Sequence, residues 1–479
     1  RLCYVFDDWI INMRLIGGNI SDTPVKEIAD GSAFNVGGAA GDPALVTLGT
    51  WSSVAAISAT NWSQRADSVD LIHSSIYGIP NQLTRMSATS LLRSWVEVSS
   101  GDCMVGEIVL NADGTVASVA TANDLSSDLG SDVVQFIVRK VPGSSTRIVI
   151  SRPNKETSNT SGTPTHKFGT FDLSSGSLSK HGAVITQTAT SGGGTNANHA
   201  VAALGMELTL TDSDYGILFA QDTEANVSAW PIKFTTGGGG QEFGTVHQGD
   251  AGLQGGGNFG GPSWLSPGTN NRIYSKAGTQ LQRWDLTEAD PPTCADTALA
   301  GPATQDSKGI HWSVTKRDHV LLPPDDPDDG TFAVFGTHSE GGGATEMRFL
   351  FFDPADEVTQ YGYSLVTETF GLDSWNPGTS IPDNNHMDHC LVQIDTVGDW
   401  HRCVLVGPND TTGLYALPIN VNIAKKSYHR AAAISLTTNL TPHSNNGNGM
   451  DATFNGSNIL IICEDTAAAP STITLPITV

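Results

Sequence analysis

The strongest constraint in this sequence is a short string that returns, reworded, along the chain. Ser228-Ala229-Trp230-Pro231-Ile232-Lys233-Phe234, Gly413-Leu414-Tyr415-Ala416-Leu417-Pro418-Ile419-Asn420-Val421 and Ile473-Thr474-Leu475-Pro476-Ile477-Thr478-Val479 share an apolar–Pro–Ile core. A second version has Asp in place of Pro: Phe171-Asp172-Leu173, Trp284-Asp285-Leu286 and Phe352-Asp353-Pro354. Ile108-Val109-Leu110-Asn111 is a weaker member. The central residues stand at positions 110, 172, 231, 285, 353, 418 and 476, in steps of 54 to 68 residues. Self-similarity at a loose, sustained period signals a repeat architecture, in which one supersecondary unit stacks on copies of itself.

A short apolar run lies ahead of five of the seven anchors: Arg147-Ile148-Val149-Ile150, Gly216-Ile217-Leu218-Phe219-Ala220, Thr331-Phe332-Ala333-Val334-Phe335, Cys403-Val404-Leu405-Val406 and Asn458-Ile459-Leu460-Ile461-Ile462. The runs are β-branched or aromatic and bounded by turn formers, the profile of a strand buried on both faces. A more polar strand precedes the run, and another often follows, as in Gln360-Tyr361-Gly362-Tyr363-Ser364-Leu365-Val366. Four antiparallel strands per repeat make the blade of a β-propeller.

On this period and pattern, residues 50–479 resemble β-propeller proteins. The look is loosely similar to propeller modules of phage fibres and bacterial surface proteins. The expected fold is all-β, a seven-bladed β-propeller; six or eight blades also fit, since the first anchor is weak. The expected division is residues 1–45 as an N-terminal arm and 46–479 as the propeller. The last anchor ends the chain, so the final blade lacks a strand. Ser53-Val54-Ala55-Ala56-Ile57 can supply it and close the ring. The first blade is expected to run from Ser68-Val69-Asp70-Leu71-Ile72 through Leu92–Val96 to Val105–Ile108. A start at Arg1 is what a processed or partial product would show.

Composition narrows the function. With 52 Gly and 23 Pro in 479 residues the chain is rich in turns. A net charge of −24 argues against nucleic acid or an anionic membrane as partner. No apolar run reaches the length of a membrane span. The six cysteines hold no CxxC pair, against a zinc ribbon. Cys390 and Cys403 flank a predicted hairpin turning near Thr396-Val397, and are read as two buried thiols or a bonded pair.

The connections that enter new blades carry the candidate chemistry. They hold Asn196, Asn198 and His199; Asn258; His311; Asn384, Asn385, His386 and Asp388; and Asn448 and Asp451. Met387-Asp388 matches Met450-Asp451. Such connections reach one face, around the channel mouth. Amides and imidazoles both donate and accept, which suits sugar hydroxyls. The same residues also cap turns and tolerate positive φ. His386 with Asp388 and His389 needs a turn before it could hold a metal, because i and i+3 diverge in an extended segment. Asp325, Asp326, Asp328 and Asp329 before Gly330 could share a Ca²⁺, or form a solvated turn; the loop lacks the Glu of a twelve-residue calcium loop. No other cofactor is expected.

G-x-S-x-G, H-E-x-x-H and Walker patterns are absent. Asp212 to Phe219 comes near a sialidase-type Asp box, but the string does not recur. The expectation is a non-enzymatic recognition module, extracellular or on a virion surface, for a glycan or a surface protein. The alternatives are a glycan-active hydrolase or lyase at the channel mouth, or a structural fibre or lattice subunit. Residues 1–45 would then be the contact with a fibre, a virion or further copies.

Overall fold

The computed structural model describes residues 5–6, 9–10, 42–54, 82–97, 100, 102–131, 136–153, 165–188, 206–211, 213–221, 227–234, 241–248, 263–265, 272–277, 280–299, 310–311, 321–322, 332–340, 344–352, 360–365, 390–408, 414–422, 427–431, 433–437, 451–464 and 470–479. Their regular structure is β, apart from one helical turn at Ser126–Leu129. No helix among them is long and apolar enough to cross a membrane.

Beyond a small hairpin at Val5–Phe6 and Trp9–Ile10, the strands among the described residues form seven sheets in chain order, all with antiparallel pairing. The first sheet shows the plan: an inner strand Gln82–Ser87, a second Ser90–Val96, a third Cys103–Leu110, and an outer strand in two pieces, Val116–Val119 and Asn123–Asp124. The inner strands of the next five begin at Ile137, Met206, Ser263, Ile310 and Cys390. The seventh holds Asp451–Phe454, Asn458–Glu464 and Pro470–Thr478. Its outer strand comes from the other end of the chain: Thr47–Leu48 pairs with Thr478 and Ile477, and Ser52–Val54 with Thr472–Thr474. These are the blades of a β-propeller, closed by an N-terminal strand.

The first blade departs from expectation. Its inner strand is Gln82–Ser87, while 68–72 lie outside the described residues. Leu83 and Met86 are buried and Arg85 is exposed, so the strand has no apolar run to announce it.

The second strands are buried as their composition demands. Ile148, Val149 and Ile150, then Ile217, Leu218 and Phe219, then Ile459 to Ile462 are all fully inaccessible. Each such side chain contributes about 1.5–3 kcal/mol on leaving water. The cores lie between successive sheets. Met86, Val105, Ile148 and Phe171 join the first to the second. Val149, Phe168, Leu218 and Trp230 join the second to the third. Leu91, Trp95, Leu460 and Ile462 join the first to the seventh. The inner strands of the first and seventh sheets are also neighbours. An open stack would not bring the last sheet back onto the first; a ring does.

Every anchor within the described residues falls on a third strand; Asp353 lies outside them. Pro231, Pro418 and Pro476 each sit where the outer strand is broken in two. There the Pro carbonyl accepts an N–H from the bridging residue: Gly244 at 2.7 Å, Ala431 at 3.1 Å and Gly49 at 2.8 Å. The missing Pro N–H faces the same side, where no paired strand needs it. The equivalents in the first two sheets are Glu107 and Thr170, which accept from Ala120 at 2.9 Å and His181 at 2.8 Å. They lie a few residues from Leu110 and Asp172, so the sequence alignment was out of register there.

Cys390 and Cys403 are buried free thiols. Cys390 opposes Val406 and Cys403 opposes Gln393, so the two are not partners across the hairpin. Burial pushes the Cys403 thiol far up, which leaves it inert.

Candidate functional site

The two faces of the propeller are built differently. On one, strands turn back tightly. Phe454 passes to Asn458 through Gly456 at φ 105°, and the Asn455 Oδ1 accepts the N–H groups of Ser457 at 3.2 Å and Asn458 at 2.9 Å. At the Leu110–Val116 turn, Asp113 Oδ1 accepts the Thr115 N–H at 3.0 Å and its hydroxyl at 2.6 Å. The Asn455 amide then donates to the Gly114 carbonyl at 3.0 Å, tying the seventh sheet to the first. These polar groups are used up in turns and seams.

On the other face each inner strand begins, and four of the connections between sheets are long. They run from Thr188 to Met206, Gln248 to Ser263, Leu365 to Cys390 and Thr437 to Asp451. Asn196, Asn198, His199, Asn258, Asn384, Asn385, His386, Asp388 and Asn448 all belong to these connections and lie outside the described residues. His311 is on the inner strand of the fifth sheet, opposite Thr337. The acids Asp325, Asp326, Asp328 and Asp329 also lie outside the described residues. Among the described residues no group of three His, Cys, Asp or Glu is placed to hold a metal.

Asp451 is the candidate whose side chain is described. It opens the inner strand of the seventh sheet and is buried, at 8% exposure. Its Oδ2 accepts the Leu83 N–H of the first sheet at 2.7 Å. Its Oδ1 accepts the Ala452 N–H at 2.8 Å and faces the Cys390 thiol of the sixth sheet at 3.7 Å. Three neighbouring inner strands thus meet on one carboxylate at the rim of this face.

Asp172 and Asp285, the anchor acids within the described residues, have a structural explanation that the sequence did not reveal. Asp172 stands opposite Arg147, which donates to it at 2.9 Å, and His181 Nδ1 lies 2.6 Å from its other oxygen. Partial burial works against the Asp172 carboxylate, but the Arg147 and His181 hydrogen bonds outweigh it and hold its pKa below the usual range. Asp285 repeats the arrangement with Arg272 at 3.2 Å and Arg283 at 3.0 Å. The signal was the Arg at the head of the preceding apolar run. The near Asp box is a hairpin turn: Asp214 has φ 70°, and Thr211 Oγ1 accepts the Ser213 and Tyr215 N–H groups at 3.3 and 3.2 Å.

No family model matches the chain, and no curated protein matches it in sequence. Among solved structures, a Lactobacillus plantarum protein aligns with 75% of this chain and 86% of its own at 10% identity and a TM-score of 0.45. A Bacteroides fragilis protein described as a candidate 6-phosphogluconolactonase aligns with 76% and 85% at 10% identity and a TM-score of 0.41. The WD40 domain of SCAP from fission yeast aligns with 84% and 97% at 8% identity and a TM-score of 0.35. The fold rests on the strand pairing above, and these likenesses decide nothing about activity.

Proposed function

We propose that this chain is a recognition module whose ring is complete with the seven blades, and that it binds a glycan or a surface protein through the face carrying the long connections. The observation that carries the reading is the asymmetry of the faces. On one face the described turns at Asp113 and Asn455 use their polar side chains in the turns themselves and in the seam between sheets. The long connections that carry Asn196, Asn198, His199, Asn258, Asn384, Asn385, His386 and Asn448 in sequence leave from and return to strand ends on the other face. Loops on a rigid scaffold are where binding residues concentrate. An extracellular or virion-surface setting suits an acidic chain of this kind.

The test is a glycan array together with a panel of surface proteins, probed with the whole chain. Retention of one ligand class without release of product supports the reading, as does its loss in Asn385→Ala with His386→Ala. Turnover of a polysaccharide that His386→Ala abolishes would replace recognition with catalysis at the same face.

A further inference from the structure

We propose that the inner rim of the tight-turn face binds a doubly charged oxyanion, inorganic phosphate or a phosphate monoester, through Arg85 and Lys140. The proposal goes beyond the recognition reading and does not rest on it, because these residues stand where inner strands end, on the opposite face. Lys140 is the last residue of the inner strand of the second sheet, and Arg85 lies two residues before the end of the inner strand of the first. The inner strands of the seventh, first and second sheets are successive neighbours. A bulge between Arg85 and Ser87 leaves Met86 out of the pairing with the second strand. Lys140 Nζ donates to the Met86 carbonyl at 2.9 Å. Arg85 Nη1 donates to the Phe454 carbonyl of the seventh sheet at 2.7 Å, and its Nε to the Ser87 carbonyl at 3.4 Å. Both cationic heads are thus held at one strand end, against the carbonyls of successive residues.

Those partners are neutral. A carbonyl satisfies a donor but leaves the charge standing, and among the described residues no carboxylate pairs with Arg85 or Lys140. The surrounding sequence supplies none either. Gln82–Ser87 and Ile137–Lys140 hold no acid, nor do the turns that follow them, 88–89 and 141–146, nor the matching turn of the seventh sheet, 455–457. In a chain with 49 acids against 25 bases, this part of the rim is locally positive and draws anions that the rest of the surface repels. Guanidinium offers five donors and ammonium three, so most remain for a ligand. Two fixed positive charges match a dianion, and charge-assisted hydrogen bonds to phosphate are among the strong ones. Arg85 is exposed and Lys140 half-buried, so the pair is open to solvent.

The probes are inorganic phosphate and glycerol phosphate, each titrated calorimetrically into the whole chain at constant ionic strength. Saturable binding at one site is expected. It should weaken about tenfold or more in Lys140→Met and in Arg85→Gln, and be largely kept in Arg85→Lys. Tighter binding of the ester names a phosphorylated molecule as the source; tighter binding of phosphate names the free ion. No saturable binding to the natural chain, or equal binding in both substituted chains, would overturn the site. Arg85 and Lys140 also tie three inner strands together, so a substitution that unfolds the chain is replaced by a measurement on the natural one. Phosphate should then protect Lys140 from reductive methylation, read by mass spectrometry, and a lack of protection would overturn the site as well.

Discussion

At the scale of single residues, the buried polar groups mark where this protein is vulnerable. His166 is fully buried against the Trp230 ring, 4.2 Å between centroids, and burial with the nearby Arg152 lowers its pKa from 6.5 to about 4. Between those values the unfolded chain takes up a proton that the folded chain refuses. The stability is therefore fully present above pH 6.5 and drains away as the pH falls toward 4. From pH 7 to pH 5 the loss from this residue is about 2 kcal/mol, and His166→Phe should remove that part of the slope in denaturant titrations at the two pH values. His429, also buried, shifts in the same direction and should leave a residual slope. Asp451 makes a second residue-scale prediction. Asp451→Ala strands the Leu83 and Ala452 N–H groups, and the resulting loss of about 2–3 kcal/mol should appear as a lowered denaturant midpoint.

At the scale of the element, the broken outer strand explains both what the sequence showed and what it hid. The repeat was legible because second strands buried on both faces must be continuously apolar, as Ile459–Ile462 are. The Pro anchors were legible because only a carbonyl is required at that point. Glu107 and Thr170 fill the same place through their backbone alone, so no side chain announces them. Inner strands such as Gln82–Ser87 were missed because one flank is polar and the apolar run is interrupted by Arg85. The close packing of bridging residue on Pro predicts a contrast. A Cβ on Gly244 would overlap the Pro292 carbonyl, whereas on Gly49 the nearest atom is Pro476 Cβ at 3.0 Å. Gly244→Ala should cost about 2 kcal/mol or more in thermal unfolding, and Gly49→Ala under about 1 kcal/mol.

At the scale of the whole molecule, the account turns on closure. The chain's beginning and end share a sheet, and the seventh sheet packs on the first through Leu460, Ile462, Leu91 and Trp95. Asn420 holds the incoming chain as it crosses the sixth sheet, donating to the Pro43 carbonyl at 3.0 Å. A chain beginning at Asp42 should therefore unfold as cooperatively as the full chain. One beginning at residue 55 exposes the edge of Pro470–Thr478 and should lose both stability and cooperativity, seen as a broadened calorimetric transition. The ends from which long Asn- and His-bearing connections leave were legible in the sequence, because those connections lie between the last strand of one sheet and the inner strand of the next. The ligand was not, because specificity lies in the conformation of those connections. The most direct test of closure is a cross-strand disulfide between Thr47 and Thr478, which are opposed, exposed positions at the two ends of the fold. Thr47→Cys with Thr478→Cys should oxidise within one chain, giving a linked peptide in mass spectrometry and a higher Tm. Failure to cross-link, or cross-linking only between chains, would contradict a ring closed by its own N-terminal strand.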